Sequence, residues 1–160
     1  MHDAPGLCDI LDLHDIPGLC DAPDLHDAPD WCHIPTQNEM RQALVERHGK
    51  VLQEKLEAAT VAICGLGGLG SNIAISLARA GVGRLILIDF DQVDISNLHR
   101  QQYKASQIGR YKADALMENL REIAPYITLT PYIERINEHN FEHLLREADI
   151  ICEAFDDAQA

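Results

Sequence analysis

The sequence predicts an α/β fold, a doubly wound parallel sheet. Three observations predict it. Short apolar runs of four or five residues read as buried strands. Between them, apolar residues recur at helical spacing. The two kinds of segment alternate from Thr60 onward, which is the pattern of strands joined by helical crossovers.

The elements follow in order. Thr36-Gln-Asn-Glu39 fits a capping box, so a helix should start there and run to about His48. Gly49 marks a break before a second helical stretch to about Ala58. Thr60–Cys64 is an apolar run that reads as the first strand. Gly65 to Gly70 form a turn. Leu69, Ile73, Leu77 and Ala80 then share a helix face, ended by Gly81 and Gly83. Leu85–Ile88 is a second strand, ending at Asp89. Residues 90–105 read as a loop. Ala113, Leu116, Met117, Leu120 and Ile123 line a helix that Pro125 stops. Residues 126–133 suggest a third strand, and Phe141, Leu144, Leu145 and Ala148 another helix face. Asp149–Cys152 would be a fourth strand. A sheet of this type normally continues, so the expectation is a domain truncated after about the fourth strand.

Residues 1–35 differ in kind. Read in sixes from His2 they run HDAPGL, CDILDL, HDIPGL, CDAPDL, HDAPDW, CHIP. His2, His14 and His26 recur in step, as do Cys8, Cys20 and Cys32. Pro5, Pro17, Pro23, Pro29 and Pro35 break helix and central strand alike. With little apolar area to offset ordering entropy, this tail is expected to be disordered. Its His and Cys alternate too widely for the usual zinc ligand pairs, two to four residues apart. The domain division expected is therefore 1–35, a low-complexity repeat, and 36–160, the α/β part.

Charge and composition exclude some functions. The formal net charge is -13, with eight Asp and no Lys or Arg in residues 1–35. That argues against a nucleic-acid-coating role, which needs a basic face. No stretch approaches the roughly 18 apolar residues that span a bilayer, and the start lacks a signal-peptide pattern. A cytoplasmic protein with reduced cysteines is expected. Cys64 and Cys152 sit in apolar strands and read as core residues.

The chemistry concentrates at the first turn. Gly65-Leu-Gly67-Gly68-Leu-Gly70-Ser71 lies between a strand and a helix. Gly65 allows the tight turn, Gly67 lets backbone approach a phosphate, and Gly70 permits close helix–strand packing. The helix start offers free amides and a positive dipole end. Asp89 stands at the end of the next strand, about 20 residues on, where an acid bonds a ribose hydroxyl. These features point to a nucleotide and leave ATP and NAD both open. The next segment reads Asp89-Phe-Asp91-Gln-Val-Asp94-Ile-Ser-Asn97-Leu-His-Arg100-Gln101, with Lys112 a short way on. Cations converging near a glycine turn suit a triphosphate, because they can neutralise a leaving pyrophosphate. Asp94, His99 and Asp114 read as ordinary exposed residues.

GLGGLGS, then DFDxVxxSNLxRQ, then Gly-Arg-x-Lys resembles the ThiF/MoeB/HesA family, relatives of the ubiquitin-activating enzymes, over about residues 36–157. The resemblance implies a Rossmann-like fold that binds ATP with magnesium. It implies adenylation of the C-terminal Gly-Gly carboxylate of a small ubiquitin-like sulfur carrier, with thiamine biosynthesis the expected pathway. Carried across by motif, Gly65, Gly67, Gly68 and Gly70 form the phosphate-facing turn. Asp89 takes the ribose, supported by Asp91. Asn97, Arg100 and Gln101 contact phosphate, and Lys112 stabilises charge during adenylation. Asp156 corresponds to the acid that positions magnesium. The family also uses an arginine from the partner subunit, which implies a homodimer; Arg41 is the first choice and Arg47 the reserve. Tyr111 stands where many relatives have Pro, and Arg100 and Lys112 are one residue closer than in longer members. Both features resemble a shorter ThiF-like branch. Three other readings stay open: a tRNA-modifying dehydratase of the same superfamily, an NAD-binding oxidoreductase domain, and a non-catalytic fragment.

Overall fold

A computed structural model describes residues 35–155. Residues 1–34 of the 1–35 repeat, with its disorder and metal readings, and Asp156 lie outside the described residues.

The described part begins with two helices, α1 (Gln37–His48) and α2 (Lys50–Ala58). Alternating strands and helices follow: β1 (Thr60–Cys64), α3 (Gly68–Arg79), β2 (Arg84–Ile88), α4 (Lys112–Ile123), β3 (Thr128–Tyr132), α5 (Phe141–Leu145) and β4 (Ile150–Glu153). The strands form one sheet in the order β3-β2-β1-β4. Every neighbouring pair is parallel.

Strand alternation divides the core into two layers. Val61, Ile63, Leu85 and Leu87 face α3 and α4, meeting Ala74, Ala78, Leu116 and Leu120. Ala62, Cys64, Ile86 and Ile88 face the other way, against Leu144 of α5. Helices therefore cover both faces of the two central strands, which explains why β1 and β2 are continuously apolar. The outer strands are wetter. β3 carries Pro131 at an edge position, where a missing N–H is tolerated. β4 leaves Ile150 and Ile151 about half exposed, at 55% and 53%.

The segment read as loop at 90–105 contains a 3₁₀ turn at Ile95–Asn97, and a second follows at Ala105–Gln107. Asp94 caps the first by accepting from the Ser96 amide and hydroxyl, a local bond that competes with regular helix. The last helix is shorter than its apolar spacing predicts, ending at Leu145 rather than near Ala148. Ala148 still packs against the α5 side of the sheet.

α1 starts as its capping box requires. Thr36 Oγ1 accepts from the Glu39 amide at 3.3 Å, and the Glu39 carboxylate accepts from the Thr36 amide at 2.7 Å. No residue of α1 is buried, so caps and side-chain pairs hold it rather than core packing. Removing the hydroxyl in Thr36→Ala should cost the helix about 1 kcal/mol. Amide exchange in the first turn of α1 is expected to accelerate while the urea midpoint of the sheet stays put. A shift of the whole unfolding transition would contradict this.

Candidate functional site

The carboxyl ends of all four strands open into one cleft of about 760 Å³. This is where an open parallel sheet offers a ligand crevice, since the strand order reverses beside β1. Gly65, Gly67 and Gly68 follow β1, Asp89 and Asp91 follow β2, Glu134 to Ile136 follow β3, and Ala154 and Phe155 follow β4.

The glycine turn is fixed by close approaches. Gly65 has φ +90°, and a Cβ there would lie 2.9 Å from the Ala154 carbonyl oxygen. A Cβ on Gly70 would lie 1.8 Å from the Gly65 carbonyl oxygen. As its packing role in the motif predicts, Gly70 brings α3 against the turn; it does not itself line the cleft as Gly65, Gly67 and Gly68 do. Gly67 and Gly68 stand at the start of α3, whose first amides have no partner within the helix and face the cleft with the positive dipole end.

Asp89 is 8% exposed. Its carboxylate accepts from the Leu66 amide at 2.7 Å and from the Asp91 amide at 2.8 Å. Burial pushes its pKa up from the ordinary carboxylate value, opposed by those two amides and by Lys112. Two of its roughly four acceptor positions remain open.

Lys112 is the first residue of α4, where a cation opposes the helix dipole. It stays because Asp91 holds it twice. The Lys112 amide donates to the Asp91 carbonyl at 2.9 Å, and Nζ reaches the Asp91 carboxylate at 2.8 Å and the Asp89 carboxylate at 3.9 Å. The ammonium side chain is 7% exposed. Arg100 lies over the start of α3; a Cβ on Gly68 would come within 3.3 Å of its Nη1. Asn97 Oδ1 accepts from Arg100 at 3.1 Å. Gln101 is 6% exposed, and its Oε1 has no hydrogen-bond partner among the described residues. A half-turn of that amide would present its NH₂ instead. A buried amide left unsatisfied beside a helix start fits a site completed by a polar ligand.

The far end of the cleft is apolar and was not singled out in the sequence. Phe90, Ile136 and Phe155 line it, and Arg135 stacks over the Phe90 ring at 5.5 Å. The rule that ligands sit outside strand ends could have flagged the residues after β3 and β4; periodicity could not.

Arg41 is elsewhere. It pairs with Glu57 of α2 at 2.9 Å and borders a second cavity, with Gly81, Gly83 and Thr128, at the amino ends of the strands. Arg47, on the same helix, does not line the cleft either. Among the described residues no group of three or more His, Cys, Asp or Glu is placed to hold a metal ion. No described helix is long and apolar enough to cross a membrane. Cys64 is buried and its thiol is pushed up to about 11, by burial first and then by Cys152 and Glu153, which makes it a poor nucleophile.

The class of protein this defines is a Rossmann-like α/β domain with a glycine-turn cleft at the carboxyl ends of its strands. The chain belongs to the ThiF family, whose model matches residues 39–160. It is 41% identical over 117 residues to an adenylyltransferase and sulfurtransferase of Aspergillus terreus, covering 72% of this chain and 24% of that protein. It is 35% identical over 117 residues to a sulfur carrier protein adenylyltransferase of Thermus thermophilus, covering 43% of that protein. The chain therefore spans less than half the length of these relatives. Among solved structures, the ATP complex of the E. coli tRNA N6-threonylcarbamoyladenosine dehydratase superposes with a TM-score of 0.72 at 25% identity, covering 78% of this chain and 53% of that one. E. coli MccB superposes with a TM-score of 0.64 at 33% identity, covering 68% and 31%.

The raised Asp89 pKa has a consequence for stability. A carboxyl that binds its proton more tightly when folded contributes stability in acid, and loses it as pH rises through the folded pKa. The stability of the native chain minus that of Asp89→Asn should therefore fall between pH 4 and pH 7. Urea titrations at the two values check it; a difference that grows with pH would mean the amide bonds outweigh burial.

Proposed function

We propose that this chain carries the ATP-binding, adenylating part of an enzyme that activates the C-terminal Gly-Gly carboxylate of a ubiquitin-like sulfur carrier protein. One observation carries the reading: Asp89, Lys112 and Arg100 converge with the start of α3 on a single cleft. The reading is supported by the relative named as a sulfur carrier protein adenylyltransferase, by the relative named as an adenylyltransferase and sulfurtransferase, and by the neighbour solved with ATP.

In this reading the apolar end beside Phe90 takes the base and Asp89 accepts from the ribose. The amides of Gly67 and Gly68 take phosphate oxygens, with Arg100, Asn97 and Gln101 around them. The carrier carboxylate attacks the α-phosphorus; a C–O–P bond forms, the bond to the β-phosphate oxygen breaks, and pyrophosphate leaves. Lys112, already desolvated, neutralises the charge that develops. Magnesium is assigned to Asp156, outside the described residues, so no step here runs through it. The pathway in this reading is thiamine synthesis in the cytoplasm, motivated by Tyr111 and the close Arg100–Lys112 spacing.

The test is ATP–pyrophosphate exchange stimulated by a Gly-Gly-ended carrier. Lys112→Ala should lower the exchange rate about 10²- to 10³-fold, the usual loss for one transition-state contact. NAD binding in place of ATP would make the domain an oxidoreductase module instead. The likeness to a tRNA-modifying dehydratase gives a second reading with the same ATP half-reaction; stimulation by tRNA and not by carrier would select it.

Arg41 does not line the cleft of its own chain, so in this reading it serves a homodimer partner. Inactive Arg41→Ala and Lys112→Ala chains, mixed and re-equilibrated, should then recover about a quarter of native activity, one working site in each mixed dimer. No recovery in a mixture that sediments as dimers would remove Arg41 from the site.

A further inference from the structure

We infer that Tyr103 is a positioning residue for the glycine turn, fixing the peptide unit that aims the Gly67 amide into the cleft. The functional consequence rests on the nucleotide reading above; the structural claim does not.

Leu66 has no exposed surface. Its amide donates to Asp89 at 2.7 Å. Its carbonyl accepts from the Tyr103 hydroxyl at 2.7 Å, a bond between buried groups far apart in sequence. The Leu66 carbonyl and the Gly67 amide belong to one planar trans peptide, so they point in opposite directions. Holding the carbonyl toward the buried Tyr103 therefore turns the Gly67 N–H the other way, toward the cleft that Gly67 lines. No described backbone carbonyl accepts from that N–H. Rotation of this peptide is resisted little by the chain itself, because glycine on its C-terminal side tolerates a wide range of φ. The hydroxyl supplies the resistance.

Tyr103 is itself held. The Gln102 amide donates to Ser71 Oγ at 3.2 Å, and Gln102 Nε2 donates to Asn72 Oδ1 at 2.8 Å, tying the neighbouring residue to α3. On the other side, Asn119 Nδ2 donates to the Gln102 carbonyl at 2.9 Å. Asn119 and Gln107 exchange two amide bonds, at 2.9 and 3.1 Å, inside the core. The segment carrying Arg100, Gln101 and Tyr103 is thus strapped across the glycine turn and latched to α4. Burial, with Asp89 and Asp91 nearby, pushes the phenol upward from its ordinary value, so the hydroxyl remains a donor at any working pH.

Tyr103→Phe removes the hydroxyl and keeps the ring. Leu120→Ala, a fully buried position on α4 in the same core, serves as a control that lowers stability without touching the turn. Two kinds of measurement are made on the full chain: amide hydrogen exchange at residues 66–68, and ATP binding and turnover, read as the dissociation constant for ATP and the KM and kcat of pyrophosphate exchange. Tyr103→Phe should speed exchange at 66–68 selectively and weaken ATP about tenfold, as loss of one well-made hydrogen bond does. The loss should fall on KM, with kcat within about twofold, since Arg100 and Lys112 are untouched. Leu120→Ala should lower the melting temperature and leave ATP affinity unchanged. Unchanged exchange at 66–68 in Tyr103→Phe overturns the proposal. So does ATP affinity that falls in both variants in proportion to stability. Faster exchange at 66–68 in a protein whose native form binds no ATP sustains the positioning role and overturns only the nucleotide reading.

Discussion

The carboxylate of Asp89 is the constraint on which the rest of the site depends. One oxygen accepts from Leu66 in the turn after β1, the other from Asp91 beyond β2. The first bond sets the glycine turn. The second sets Asp91, which in turn holds Lys112 through both its carbonyl and its carboxylate. A single side chain at the end of one strand thereby places the cleft-facing glycine turn and the buried ammonium relative to each other. Its raised pKa shows that this arrangement is costly, because burial outweighs the bonds the charge receives.

The sheet makes that clamp possible. β1 and β2 pair from Thr60 with Arg84 to Cys64 with Ile88, so the two strands end level and their following residues meet. Pairing continues past the strand ends: Gly65 donates to the Ile88 carbonyl, Asp89 to that of Tyr132, and Ala154 to that of Cys64. The fourth strand also limits the turn directly, since Ala154 occupies the space a side chain on Gly65 would need. Strand order, level ends and a residue without a side chain are three aspects of one requirement. The backbone must turn sharply in a place already filled by its neighbour.

Much of this was legible in the sequence because it rests on short-range rules. The capping box at Thr36, the breaks at Gly49 and Gly81, and the four apolar strands depend on residues within a few positions of each other. Each strand lies within about two residues of its expected place. Gly65, Gly67, Gly68, Asp89, Asp91, Asn97, Arg100, Gln101 and Lys112 all border one cleft. What stayed hidden depends on meetings between distant segments. The Tyr103–Leu66 bond, the Gln107–Asn119 amide pair and the Arg135–Phe90 stack have no periodic signature, because each partner could equally serve solvent. The 3₁₀ turns were missed for a related reason. They are built from one Asp cap and a few polar residues, a composition that a loop shares. Gly70 keeps the packing role its place in the motif implies, and the cleft itself is lined by Gly65, Gly67 and Gly68.

Three unfavourable local choices gather at the carboxyl ends of the strands. A lysine begins α4 against the helix dipole, a carboxylate is buried at a cost, and the Oε1 of Gln101 has no hydrogen-bond partner among the described residues. All three lie within one cleft, the pattern that functional sites tend to show; the other buried atom without a partner, Arg84 Nε, lies at the start of β2. Arg41 is the contrasting case. Glu57 satisfies it at a partly exposed helix surface, and nothing local sets it apart from an ordinary surface pair. A role for Arg41 therefore has to come from outside its own chain. Asp89, Lys112 and Gln101, by contrast, carry their local costs within a single chain.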